Sequence, residues 1–87
     1  MIYTVIWKSI ILDKLAAIYV DEEPSQRERI AAGVESFNAR LAADPLDVGE
    51  SRIGGYRVAF PTLLKVSFHV SVASRRVQVT DVTRYGR

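Results

Sequence analysis

Eighty-seven residues are enough chain for one small domain with a modest core. The absence of cysteine excludes a disulfide-built scaffold and thiolate metal sites, and there is no run of about 18 apolar residues to span a membrane. Charge is unevenly spread: residues 1–50 carry five Lys/Arg against nine Asp/Glu, and residues 51–87 carry seven against Asp81 alone, a basic half that suits a polyanion or an acidic protein partner.

The opening stretch, Ile2 to Trp7, is rich in β-branched and aromatic residues and reads as a strand. Without a basic leader or a small-residue cleavage site it does not read as a signal peptide, so the expected compartment is the cytoplasm. From Ser9 to Val20 the period changes, with Ile11, Leu15 and Ile18 four and three apart on one helical face. Asp21-Glu22-Glu23-Pro24 interrupts that helix, because the residue before a proline is pushed out of the helical region. A second helix follows. Its start is signalled either by the capping-box spacing of Ser25 and Glu28 or by Pro24 in the first helical position. Ile30, Val34, Phe37 and Leu41 form the strongest amphipathic stripe in the chain, and Asp44-Pro45 ends it.

Residues 44–55 are dominated by turn formers. Tyr56 to Phe60 is predicted as a strand and Pro61-Thr62 as a turn. Leu64 to Val72 is the clearest strand: Leu64, Val66, Phe68, Val70 and Val72 alternate with Lys65, Ser67, His69 and Ser71. Ala73-Ser74-Arg75 makes a hairpin turn into a last strand from Arg76 to about Thr83. In that strand the apolar alternation slips by one, predicting a bulge near Thr80–Asp81.

The order β-α-α-β-β-β predicts an α+β fold, a single domain over residues 1–87 in which a helical hairpin packs on one face of a small antiparallel sheet. The row from Leu64 to Val72 supplies the covered face. With Val58 and Phe60 assigned inward on the neighbouring strand, the uncovered face is expected to carry Arg57, Lys65 and His69.

This order, together with Gly49-Glu50-Ser51-Arg52, Arg57-Val58-Ala59-Phe60-Pro61, Leu64-Lys65-Val66-Ser67-Phe68-His69-Val70, Arg75-Arg76-Val77-Gln78-Val79 and the ending Arg84-Tyr85, resembles the RelE/ParE toxin superfamily of type II toxin–antitoxin systems, which includes plasmid-stabilisation toxins. The resemblance covers nearly the whole chain and implies two activities on one fold. RelE-like members cut messenger RNA on the ribosome, whereas ParE-like members poison DNA gyrase. An inactive chain that only binds an antitoxin is a third outcome. Each implies an acidic, partly disordered antitoxin that folds as it binds. No cofactor, metal or membrane is expected.

For the nuclease reading, cleavage without metal needs a cation for the charged phosphorane and groups that move protons. Lys65 stands where RelE-like nucleases tend to carry a basic residue, so Lys65, Arg84 and Tyr85 form the expected catalytic set. Arg57, Lys65, His69, Arg84 and Arg87 form the expected RNA-binding set. His69 is the sole histidine, which leaves no second imidazole for a triad or metal site. Glu50 beside Arg52 reads as an ion pair. The tail departs from the nuclease pattern: Gly86-Arg87 follows Tyr85 where such members tend to place a further His or Tyr.

Overall fold

The computed structural model describes residues 2–86. The elements follow in the order β1 (Thr4–Trp7), α1 (Ser9–Val20), α2 (Pro24–Ala43), β2 (Glu50–Ser51), β3 (Tyr56–Ala59), β4 (Leu64–Ser71) and β5 (Arg76–Arg84). Single 3₁₀ turns lie at Pro45–Asp47 and Ile53–Gly55. The sheet order is β1-β5-β4-β3-β2. All neighbours are antiparallel except β1 and β5, the first and last strands, which run parallel. Such a pairing needs a long crossover, and the two helices lie within it.

Both helices stand at their expected positions. Pro24 occupies the first turn of α2, behind an extended Glu23, and no side chain caps that end. The proline alternative is therefore the one realised, since its missing N–H is one the helix start leaves unbonded anyway. The α1–α2 turn is held by Arg27, whose guanidinium donates to the carbonyl oxygens of Tyr19 (3.0 Å) and Val20 (2.8 Å). Those carbonyls end α1; the Tyr19 carbonyl also accepts the Glu22 N–H at 3.2 Å, and the Arg27 cation adds a donor to both and meets the negative end of the helix dipole.

One core lies between helices and sheet. Ile11, Ile30, Phe37 and Leu41 from the helices meet Leu64, Val66, Phe68, Val70, Val77, Val79 and Val82 from the central strands. Phe37 and Phe68 meet edge to face, centroids 5.9 Å apart. Trp7, at the end of β1, turns its indole toward α2 and donates Nε1–H to Asn38 Oδ1 at 2.9 Å. Val72 falls outside this row: β4 ends at Ser71 and Val72 is exposed.

The bulge is where the sequence places it. Ser67 pairs with Asp81 and Phe68 with Val79, so Thr80 is the extra residue. It lets Val77, Val79 and Val82 all point inward although their spacing is two, then three. Among the described residues no helix is long and apolar enough to cross a membrane.

Candidate nucleic-acid interface on the open sheet face

The ladder decides which side chains share the uncovered face, because directly opposed residues of antiparallel strands point the same way. Lys65 pairs with Thr83, Ser67 with Asp81, His69 with Gln78 and Ser71 with Arg76, all opposite to the buried row. On the other side of β4, Tyr56 pairs with His69 and Val58 with Ser67, whereas Arg57 pairs with Phe68 and Ala59 with Val66. β3 is thus turned over relative to the sequence expectation. Tyr56 and Val58 face outward, and Arg57 and Ala59 face the helices.

The cause is packing beyond β3 itself. Val48, just after α2, is buried among the core residues and fills the inward space beside Ala59. Gly49 is so close to β3 that an added Cβ would stand 2.2 Å from the Val58 oxygen and 2.9 Å from Ala59 Cβ. Only a small inward residue fits beneath this segment. Arg57 secures it, donating Nε–H to the Val48 carbonyl (2.9 Å) and Nη2–H to the Gly49 carbonyl (3.1 Å). Arg57 is therefore a staple on the helix side of the sheet and does not share a face with Lys65.

Arg84 also pairs across the ladder with a buried residue, Leu64, and so points to the helix side. There its Nε–H donates to Glu22 Oε2 in the α1–α2 turn at 2.6 Å, with 24% of the arginine side chain and 17% of the glutamate exposed. Its Nη1 donates to the carbonyls of Tyr85 and Gly86. The expected set of Lys65, Arg84 and Tyr85 is thus divided between two faces. Arg87 lies outside the described residues. Glu50 and Arg52 form the expected ion pair, 3.2 Å apart.

What the open face does bring together is aromatic. Tyr56 and His69 meet edge to face, centroids 4.8 Å apart, and His69 Nε2 lies 3.1 Å from the Gly54 carbonyl. Phe60 and Tyr85 meet at 4.7 Å. Phe60 is expected inward from its hydrophobicity, yet 48% of it is exposed, as is 54% of Tyr85. The turn that closes β3 onto β4 has the Leu64 N–H donating to the Pro61 carbonyl at 2.8 Å, which sets Phe60 next in register opposite Lys65. Tyr85 donates its backbone N–H to the Leu63 carbonyl at 2.9 Å. Lys65 is exposed and makes no hydrogen bond or ion pair among the described residues. The exposed Lys65 is thus close in register to one aromatic pair, and a second pair lies about 13 Å further along β4, four residues at about 3.3 Å each.

Electrostatically the face is mixed. The Lys14 ammonium, bonded to Asp81 from α1, holds the Asp81 carboxyl below its ordinary value. The Val82 N–H and the charge of Lys65 add to that, and partial burial opposes it. Tyr56 and Phe60 are the residues that sequence reasoning missed. The available signal was the small Ala59 between larger neighbours, in a strand whose two faces are otherwise equally apolar.

Two helices over one face of a five-stranded, mostly antiparallel sheet, with β1 at its edge beside the last strand, is a fold shared with RelE and ParE toxins of known structure. The solved structures that share it include the RelBE2 toxin–antitoxin complex of Mycobacterium tuberculosis, with TM-score 0.73, 22% identity, and 98% of this chain and 100% of that chain covered. The chromosomal ParDE toxin–antitoxin system of P. aeruginosa gives TM-score 0.72 at 17% identity, covering 98% of both chains. The E. coli toxin RelE, in a mutant free form, gives TM-score 0.66 at 12% identity, covering 97% of this chain and 84% of that one. The sequence matches no protein-family model and no curated protein.

Proposed function

We propose that this chain is the toxin component of a type II toxin–antitoxin pair and that it acts on messenger RNA at the ribosome through its open sheet face. The observation that carries the reading is the cluster of Lys65, Phe60 and Tyr85, with Tyr56 and His69 beyond it. Single-stranded RNA is held by stacking unpaired bases on aromatic rings and by placing phosphates on cations. The spacing of the two aromatic pairs offers two stacking positions with Lys65 beside one of them. In cleavage the ribose 2′-oxygen bonds to the phosphorus, its proton passing to water, and the bond to the 5′-oxygen breaks; Lys65 stabilises the charge that develops, and the Tyr85 hydroxyl hands a proton to the leaving oxygen. The fold supports the toxin assignment, since the structures sharing it include the RelBE and ParDE systems. An acidic antitoxin partner follows from that assignment and from the basic C-terminal half.

The test is translation in a purified system with an end-labelled messenger. Lys65→Ala is expected to lower cleavage by about a hundredfold, the scale of removing one charge-stabilising donor from a reacting centre. Tyr85→Phe separates stacking from proton donation, because it keeps the ring and removes the hydroxyl. It should retain RNA binding and lose cleavage. Translation blocked with the messenger intact refutes the nuclease reading.

A second reading is non-enzymatic, ParE-like inhibition of DNA gyrase. It is favoured by the tethering of Arg57 and Arg84 on the helix side, which leaves Lys65 as the cation near the Phe60–Tyr85 pair, with Arg76 opposite Ser71 at the far end of the face. Loss of gyrase supercoiling in the presence of the protein is its expected result.

A further inference from the structure

An acid on the open face lies close to Lys65. Asp81 stands opposite Ser67, and Lys65 stands opposite Thr83. Both point away from the core, and they are diagonal neighbours on adjacent antiparallel strands. Such residues lie about 7–8 Å apart, within reach of a lysine side chain. The charge of Lys65 is felt at Asp81, where it is among the causes that lower the carboxyl. Yet no bond joins the two. Asp81 Oδ1 instead accepts from the Lys14 ammonium of α1 and from the Val82 N–H, the latter at 2.9 Å. The course of β1 makes this possible. β1 pairs with β5 only as far as Val79, so from Thr80 onward no strand lies beside β5 on that side. Lys14 stands three residues after the buried Ile11, at the margin of the packed stripe of α1, and meets Asp81 at that uncovered edge. Two ammonium groups, one from each side of the sheet, thus stand within reach of one carboxylate.

We propose that Lys14 is a positioning residue: by holding the Asp81 carboxylate at the sheet edge it keeps Asp81 from pairing with Lys65, and so leaves the Lys65 ammonium free for a phosphate of the RNA. The phosphate clause rests on the reading of the open face given above; the competition between the two lysines does not. Removing the Lys14 ammonium, by substitution or by acylation, leaves Asp81 without its cation. Lys65, diagonal to it, is then the ammonium within reach. Once paired, it no longer offers a phosphate a full positive charge. The Lys14–Asp81 pair is about half exposed on both sides, and an exposed pair is weak. The balance between the two lysines is therefore easily tipped.

The test reads Lys65 directly, without RNA. Lys8, Lys14 and Lys65 are the lysines of the chain, so trace acylation with an amine reagent, followed by peptide mass spectrometry, gives the rate at each. Ion pairing keeps an ammonium protonated and slows its acylation. In Lys14→Met the rate at Lys65 should fall about two- to fivefold, the scale of one exposed ion pair. Asp81→Asn in the same chain should restore it, and added salt should erase the fall. Lys8→Met is the control: it removes the same charge beside the start of α1 and should leave the Lys65 rate at the parent value. An unchanged Lys65 rate in Lys14→Met overturns the proposal. So does a fall that Asp81→Asn does not reverse, or one that Lys8→Met reproduces. The affinity for a short oligouridylate should follow the same order, falling by a similar factor in Lys14→Met and recovering in Lys14→Met/Asp81→Asn. Slowed acylation with unchanged oligouridylate affinity supports the competition and refutes the RNA reading of the open face, so the two failures are distinguishable.

Discussion

Removing the Arg84 side chain should destabilise the protein before it touches any chemistry. Arg84 joins the end of β5 to the α1–α2 turn through Glu22 at 2.6 Å, with about a quarter or less of each side chain exposed. A hydrogen bond to a charged group contributes roughly 1.5–3 kcal/mol, and cutting one partner of a fully buried pair costs roughly 3–5 kcal/mol. Residual solvent access places Arg84→Ala near the lower range, at about 2 kcal/mol. In a domain of this size that is a fall in Tm of roughly 8–16 °C. The cycle of Arg84→Ala, Glu22→Ala and the double variant, followed by urea unfolding, should return a coupling of about 1–2 kcal/mol, because the two residues meet directly. Messenger cleavage by Arg84→Ala, measured well below its own Tm, should stay within a few-fold of the parent. A coupling near zero together with lost cleavage in the folded variant refutes this account and returns Arg84 to the catalytic set.

Gly49→Ala should destabilise by about 3 kcal/mol, summing left-handed backbone strain with overpacking. Gly49 has φ near +70°, and the new methyl would stand 2.2 Å from the Val58 oxygen; a Tm within 3 °C of the parent contradicts it. The Lys14–Asp81 pair sets a pH dependence of known sign. Its carboxyl titrates below the ordinary value because of Lys14, so the stabilisation is present above the unfolded pKa of about 3.9 and is lost as pH falls through the folded value. Asp81→Asn should flatten the stability profile below pH 4 by no more than a few tenths of a kcal/mol, since exposed pairs are screened. Salt titration at pH 7 should shrink the difference further.

Most of the fold is legible in the chain. The three-and-four spacing of Ile30, Val34, Phe37 and Leu41 marks α2, and the alternation from Leu64 to Val70 marks β4 and its buried face. The slip between Val79 and Val82 marks the bulge at Thr80. These are local signals in which one period dominates. The faces of β3 were not legible, because Tyr56, Val58 and Phe60 on one side and Arg57 and Ala59 on the other can each be packed. The choice depends on Val48 and Gly49, which arrive from another part of the chain. Nor did the division of charge between the two halves survive folding as a division in space. Arg84 finds Glu22 across 62 positions and Lys14 finds Asp81 across 67.

The sequence alone determined that this protein is two amphipathic helices and a set of short strands around one apolar layer, since burial of periodic side chains is a property of the local chain. Only the tertiary structure decided which cations are available to a partner. A guanidinium becomes a staple or a binding group according to what lies within about 3 Å of it. For Arg57 and Arg84 those neighbours are the Val48 carbonyl and the Glu22 carboxylate, brought there by the packing of the segment after α2 and of the α1–α2 turn. Lys65, on the strand face that nothing covers, is left exposed.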